Sequence, residues 1–103
     1  MYIQLRRGLI ASDQVAATTF AVEMAELAEQ TTGHAVSVWG SVYGMPLGTV
    51  SWTTQVTGFA DAAAQSQKLA ENPEWLTRVS KAGEQGLFIP GSWQDGLARI
   101  VHA

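Results

Sequence analysis

The chain has 103 residues, 15% of them charged, and a formal net charge of −3, which indicates one domain covering residues 1–103. It lacks cysteine, which excludes disulfides and cysteine-ligated metal, and its six scattered basic residues do not form a nucleic-acid footprint. No apolar run approaches the roughly 20 residues of a membrane span. Arg6 and Arg7 interrupt the first apolar stretch, unlike in a signal peptide, so we expect a cytoplasmic protein without membrane contact.

The first predicted elements are a strand and a helix. Residues 2–7 alternate between apolar and polar side chains, as in a half-buried strand. Ser12 and Asp13 offer capping oxygens and Gly33 tolerates a left-handed backbone, so a helix is predicted over 13–32. Its predicted apolar stripe consists of Ala16, Phe20, Met24 and Leu27.

An antiparallel hairpin is predicted next. The alternating pattern from His34 places Trp39 and Tyr43 on one face of a strand, with valines on the other. The five residues 44–48 are rich in turn formers, and 49–55 is dense in β-branched and aromatic residues. Two strands around a short Gly/Pro turn are typical of a hairpin.

Two helical segments and a last strand complete the pattern. Residues 60–71 have high helix propensity, and Asn72-Pro73-Glu74 signals a second start, so we expect a bend at residue 72. Asp95-Gly96 is interpreted as a turn and residues 97–102 as the final strand. The predicted architecture is α+β, a ferredoxin-like β-α-β-β-α-β order with a four-stranded antiparallel sheet.

One face of such a sheet is left without helices. The hairpin carries large apolar groups on both faces, valines on one and Trp39 and Tyr43 on the other. Exposed apolar patches usually mark interfaces, so we expect a homodimer formed across the open sheet face by a two-fold axis. Scattered surface aromatics are the alternative.

Three segments resemble the dimeric α+β barrel superfamily, most of all its NIPSNAP-like and small antibiotic-biosynthesis-monooxygenase-like domains. They are Asn72-Pro73-Glu74-Trp75-Leu76, Phe88-Ile89-Pro90-Gly91-Ser92 and the closing strand 97–101. The resemblance covers the whole chain through its element order. It implies the barrel-forming dimer, whereas the activities of the superfamily range from cofactor-free oxygenases to proteins without known activity.

His34 and Tyr43 are the candidate catalytic residues. A histidine titrates near neutral pH and can act as a general base. The alternative is a surface histidine beside a helix C-terminus, where positive charge is mildly favoured. The two histidines have no ligand spacing and no nearby carboxylate, so neither a metal nor another cofactor is predicted.

The resemblance also implies a ligand cleft between the sheet and its helices. Small-molecule pockets are lined mainly by apolar and aromatic groups. The predicted lining residues are Phe20, Met24, Trp39, Trp52, Trp75 and Phe88. The competing interpretation is that these groups pack in the core and in the dimer interface.

Two functional hypotheses therefore remain. The first is a homodimeric binding or assembly module without identifiable catalysis. The second is a cofactor-independent monooxygenase, cyclase or isomerase that acts on a small aromatic or apolar molecule. A ligand-sized cavity of roughly 300 Å³ with polar groups turned into it would favour the enzyme.

Overall fold

The computed structural model describes residues 1–45 and 48–102 and confirms the ferredoxin-like plan. Its elements are β1 (Tyr2–Leu9), α1 (Gln14–Thr32), β2 (Val36–Gly40), β3 (Thr49–Val56), α2 (Phe59–Ala70), α3 (Pro73–Gln85) and β4 (Gln94–Arg99). The four strands form one antiparallel sheet in the order β2-β3-β1-β4. Of the predicted hairpin turn, Pro46 and Leu47 lie outside the described residues.

Local capping chemistry sets the ends of α1. The Asp13 carboxylate accepts a hydrogen bond from the Ala16 N–H at 2.9 Å, which satisfies a free donor of the first turn. Gly33 adopts a left-handed conformation with φ 75° and donates its N–H to the Glu29 carbonyl. The predicted helix boundaries are confirmed to within one residue.

Alanines bring α1 close to the sheet. Ala17 and Ala21 are fully buried and belong to the core cluster that includes Val50 of β3. The predicted stripe is correct at Met24 and Leu27, whereas Ala16 and Phe20 are only half-buried. Because an alanine occupies little volume, the helix backbone approaches the sheet and the buried face shifts toward these small residues.

The predicted bend at residue 72 is confirmed. The Asn72 side chain accepts hydrogen bonds from Glu74 and Trp75 N–H groups and thereby caps α3. Its amide also donates to the Thr31 hydroxyl at 2.9 Å, which links the start of α3 to the end of α1. Asn72 therefore sets where α3 begins and holds that start against the end of α1.

The interpretation of Asp95-Gly96 as a turn is wrong. Both residues lie in β4, which begins at Gln94, three residues before the predicted start. They pair with Arg6 and Leu5 of β1. Turn propensity is a weak local preference, and cross-strand pairing with a central strand overrides it here.

The strand register separates two faces of the sheet. On the helix side, Trp52 lies opposite Arg6 and Val38. The open side carries Leu5 and Trp39 among others, because successive residues of a strand point to opposite faces. The same alternation places Arg6 on the helix side and Arg7 on the open side.

Candidate functional site

Four aromatic rings form a cluster on the helix side of the sheet. Phe88 lies at its centre, with ring centroids 5.8 Å from Phe20, 6.1 Å from Trp52 and 4.8 Å from Trp93. Trp52 and Trp93 stack at 5.9 Å with an interplanar angle of 30°. The indole N–H of Trp52 donates to the Ala21 carbonyl at 2.9 Å, so the cluster is anchored to α1. Such ring pairs stabilise the fold beyond the burial of their area.

A glycine in β1 makes room for Trp93. A Cβ atom at Gly8 would lie 2.9 Å from two atoms of the Trp93 ring, closer than real Cβ contacts allow. The indole therefore lies directly on the backbone of β1, with 43% of its surface exposed. The segment before β4 is held there by the Ser92 hydroxyl, which accepts from the Leu9 N–H at 3.1 Å.

An ion pair borders the aromatic cluster. Arg6 donates from Nε and a terminal nitrogen to the two oxygens of Asp95, at 2.7 and 3.0 Å. The Asp95 hydrogen bond, helped by its charge and opposed by partial burial, raises the pKa of Arg6 above its ordinary value. The Arg6 guanidinium carbon lies 6.0 Å from the Trp93 ring centroid, within reach of a cation–π interaction.

Beside the ion pair, an open cleft of about 330 Å³ lies between the sheet and α2. One wall comes from β1 and β4 and the other from α2. Its lining residues are Gln4, Asp95, Gly96 and Leu97 from the strands and Phe59, Ala62, Ala63 and Ser66 from the helix. The volume is at the lower end of the range found for ligand pockets.

A larger concavity of about 520 Å³ lies on α3. All of its bordering residues, among them Leu76 and Lys81, come from that one helix. A concavity bounded by a single helix leaves most of a bound molecule in water, whereas ligand sites bury most of the ligand surface. The smaller cleft, with two walls, is therefore the better candidate site.

The predicted lining residues are divided among several places. Phe20, Trp52 and Phe88 meet in the aromatic cluster. Met24 is buried on α1, and Trp75 is half-buried on α3.

Trp39, the remaining predicted lining residue, lies on the open face of the sheet. Its side chain is 57% exposed, and its indole N–H donates to the Thr53 hydroxyl at 2.7 Å. The hairpin register explains this separation: Val38 pairs with Trp52, so Trp39 points to the other face.

His34 and Tyr43 lie beyond opposite ends of β2. His34 is half-buried, with Nδ1 3.1 Å from the Thr32 carbonyl and Nε2 3.9 Å from an Asp61 oxygen. Tyr43 is 95% exposed in the segment after β2. Neither residue borders either of the two clefts.

The Asp61 carboxylate has a local structural role beside His34. A hydrogen bond from the Thr57 N–H, at 2.9 Å, is the main cause that lowers the pKa of Asp61. Desolvation, the second largest cause, raises it, and the Gln65 amide and the His34 charge lower it further. Asp61 thus fixes the entry into α2.

Sequence reasoning missed Trp93 and the Arg6–Asp95 pair. Trp93, Asp95 and Leu97 lie two positions apart along the chain. A last strand predicted to start earlier would therefore have placed all three on one face of the sheet. The turn signal at Asp95-Gly96 concealed that pattern.

Residues 1–45 and 48–102 hold no group of three or more histidine, aspartate or glutamate side chains able to bind a metal ion. No helix in this part of the chain combines the length and apolarity needed to cross a bilayer.

Solved structures provide the comparison with known proteins, since no protein-family model and no curated protein matches the sequence. An uncharacterised NIPSNAP domain protein from Burkholderia xenovorans matches 100% of this chain and 95% of its own, with TM-score 0.76 and 16% identity. A variant of SnoaB, a cofactor-independent oxygenase from Streptomyces nogalater, matches 99% and 94%, with TM-score 0.66 and 12% identity. The chain therefore has the ferredoxin-like fold of NIPSNAP family proteins and of antibiotic-biosynthesis-monooxygenase-like proteins.

Proposed function

We propose that the chain is a homodimeric binding module that pairs through its open sheet face and holds a small apolar or aromatic molecule on the helix side. The observation that carries this proposal is the cleft beside the Arg6–Asp95 pair, which has two walls and both apolar and polar lining but is bordered by neither His34 nor Tyr43. Ligand sites combine these features with a few positioned polar groups. The two faces of one sheet would then serve assembly and binding separately.

The open face supports the assembly part of the proposal. Leu5 lies at its centre, between Thr53 of β3 and Gly96 of β4. Trp39 is exposed on the same face, and Met45 near its edge is 42% exposed. A second copy related by a two-fold axis would cover these groups with an identical surface.

Sedimentation equilibrium of the purified chain tests the pairing. Replacing Leu5→Glu places a charge at the centre of the open face, and two such charges would meet in the dimer. We expect the parent to sediment as a dimer and the variant as a folded monomer. Thr18→Glu, which adds the same charge on the exposed side of α1, is the control and should stay dimeric. A monomeric parent would remove the assembly part of the proposal.

The binding part is tested by titrating the chain with small aromatic molecules while following tryptophan fluorescence. Trp93 is the cluster ring beside Arg6, the partner of the cleft residue Asp95, so a ligand in the cleft is expected to change its emission. Ala63→Leu enlarges a side chain that lines the cleft, so it should exclude the ligand and abolish the fluorescence change. The same response from the parent and the variant would place the ligand elsewhere.

A cofactor-independent oxygenase is the second candidate. The fold similarity to SnoaB, a protein with that activity, favours it. In this proposal His34, oriented by the Thr32 carbonyl and adjacent to Asp61, and Tyr43 are the candidates for moving a proton. The test is oxygen consumption with electron-rich aromatic substrates, and His34→Gln should then lower the rate at least tenfold at unchanged dimer content. Binding without oxygen consumption would reject the oxygenase and retain the binding module.

A further inference from the structure

We infer that the cleft selects uncharged molecules carrying a hydrogen-bond donor over anions of the same shape, with the Asp95 carboxylate as the selecting group. This inference rests on the proposed binding function and names the class of ligand. It derives from the polar groups that line the cleft and from the charge balance beside it.

Asp95 has acceptor capacity to spare. An ionised carboxylate offers about four lone-pair directions and donates no hydrogen bond. Arg6 occupies one direction on each oxygen, at 2.7 and 3.0 Å. The side chain is 61% exposed and borders the cleft, so a ligand O–H or N–H can reach the remaining directions. Such a charge-assisted hydrogen bond is about twice as strong as a neutral one.

The arrangement of charges disfavours anions. Arg6 cancels the charge of Asp95, so the pair offers no net attraction to either sign. Arg6 does not border the cleft, whereas Asp95 does. An anion in the cleft would therefore meet the carboxylate first and be repelled, and discrimination against wrong ligands often rests on such repulsion.

The other lining groups fit a neutral, mostly apolar molecule. Ala62, Ala63 and Leu97 provide apolar walls, and the Phe59 ring lies at the entrance with 79% of its surface exposed. The Gln4 amide forms no side-chain hydrogen bond within residues 1–45 and 48–102, and so is available to a ligand. A cleft of about 330 Å³ accommodates a two-ring molecule.

The test compares ligands that share a naphthalene ring. Dissociation constants of 2-naphthol, 2-methoxynaphthalene and 2-naphthoate for the full chain are measured at neutral pH by calorimetry. We expect 2-naphthol to bind roughly tenfold more tightly than the other two, because they lack the donor or add a negative charge. Equal affinities, or tightest binding of 2-naphthoate, would overturn the inference and leave the binding function intact. Absence of binding by all three would overturn both.

Three variants test whether Asp95 causes the preference. Asp95→Asn should reduce the preference for 2-naphthol over 2-methoxynaphthalene to about twofold, since a neutral acceptor replaces a charged one. Glu84→Gln removes the same charge from the exposed face of α3 and should leave the preference at its parent value. Arg6→Gln leaves the Asp95 charge uncancelled, and should weaken 2-naphthoate further. An unchanged preference in Asp95→Asn would contradict the assignment.

Discussion

The helix side of the sheet consists of two unlike halves. Over β2 and β3, α1 packs closely through alanines and the Trp52 indole bonds to its backbone. Over β1 and β4, no helix packs extensively within residues 1–45 and 48–102, and the surface carries Gln4, the Arg6–Asp95 pair and Leu97. One half is therefore core, and the other is available for binding.

The boundary between these halves is the aromatic cluster. Its centre, Phe88, is buried, whereas its outermost ring, Trp93, is partly in water beside Arg6. None of the four rings lines the cleft: the cluster ends at Trp93 beside Arg6, and Asp95, the partner of Arg6, borders the cleft. A fold of this size has little core to spare, and the cluster completes that core at the edge of the open half.

The largest expected difference between the halves comes from one substitution made in each. Phe88→Ala removes the central ring of the cluster and should lower the free energy of unfolding by about 3–5 kcal/mol. Phe59→Ala, at the exposed cleft entrance, should change it by less than about 0.5 kcal/mol. Urea denaturation followed by circular dichroism measures both. Similar losses from the two variants would contradict the division into a packed and an open half.

A smaller effect is expected at the boundary. Gly8→Ala places a Cβ atom 2.9 Å from the Trp93 ring, so the indole must move and the variant should lose about 1–3 kcal/mol of stability. Gly40→Ala, in β2 of the same sheet, is the control because its added Cβ meets no atom within 4 Å. Near-ultraviolet circular dichroism should show a changed Trp52–Trp93 signal only in the first variant. An unchanged signal and stability there would mean that Trp93 does not lie on Gly8.

The smallest predicted effect concerns the start of α2, which forms the outer wall of the cleft. Folding lowers the pKa of Asp61 below its ordinary value of 3.8. The ionised carboxylate therefore stabilises the native state at pH values above 3.8, and this contribution is lost as the pH falls through the lowered pKa. Asp61→Asn should be less stable than the parent at pH 7, and the difference should shrink below about pH 4. Urea denaturation across this pH range measures it. A difference independent of pH would mean that the charge of Asp61 contributes nothing.

Local chemistry made much of the fold predictable. The caps at Asp13, Gly33 and Asn72 act within a few residues, so the sequence pattern contains their signal. The alternation of β1 likewise predicted which of its residues share a face, with Leu5 on the open side and Gln4 and Arg6 on the helix side. Where the residues that decide a structure are close in sequence, the prediction was confirmed.

The candidate site depends on contacts between distant parts of the chain. Arg6 and Asp95 are 89 positions apart, and their pairing converts an apparent turn into a strand. The face of Trp52 relative to Trp39 follows from hairpin register, which residue types alone did not determine. His34 and Tyr43 were selected by chemical type, and their predicted catalytic role stays a prediction.

The most direct test of the division between the halves is to map where a ligand binds. A ¹⁵N-labelled chain is titrated with 2-naphthol, and the backbone amide shifts are followed by NMR. We expect the largest shifts along the cleft, at Ala62, Ala63, Gly96 and Leu97. Shifts centred on Trp39 and Thr53 of the open face would contradict it.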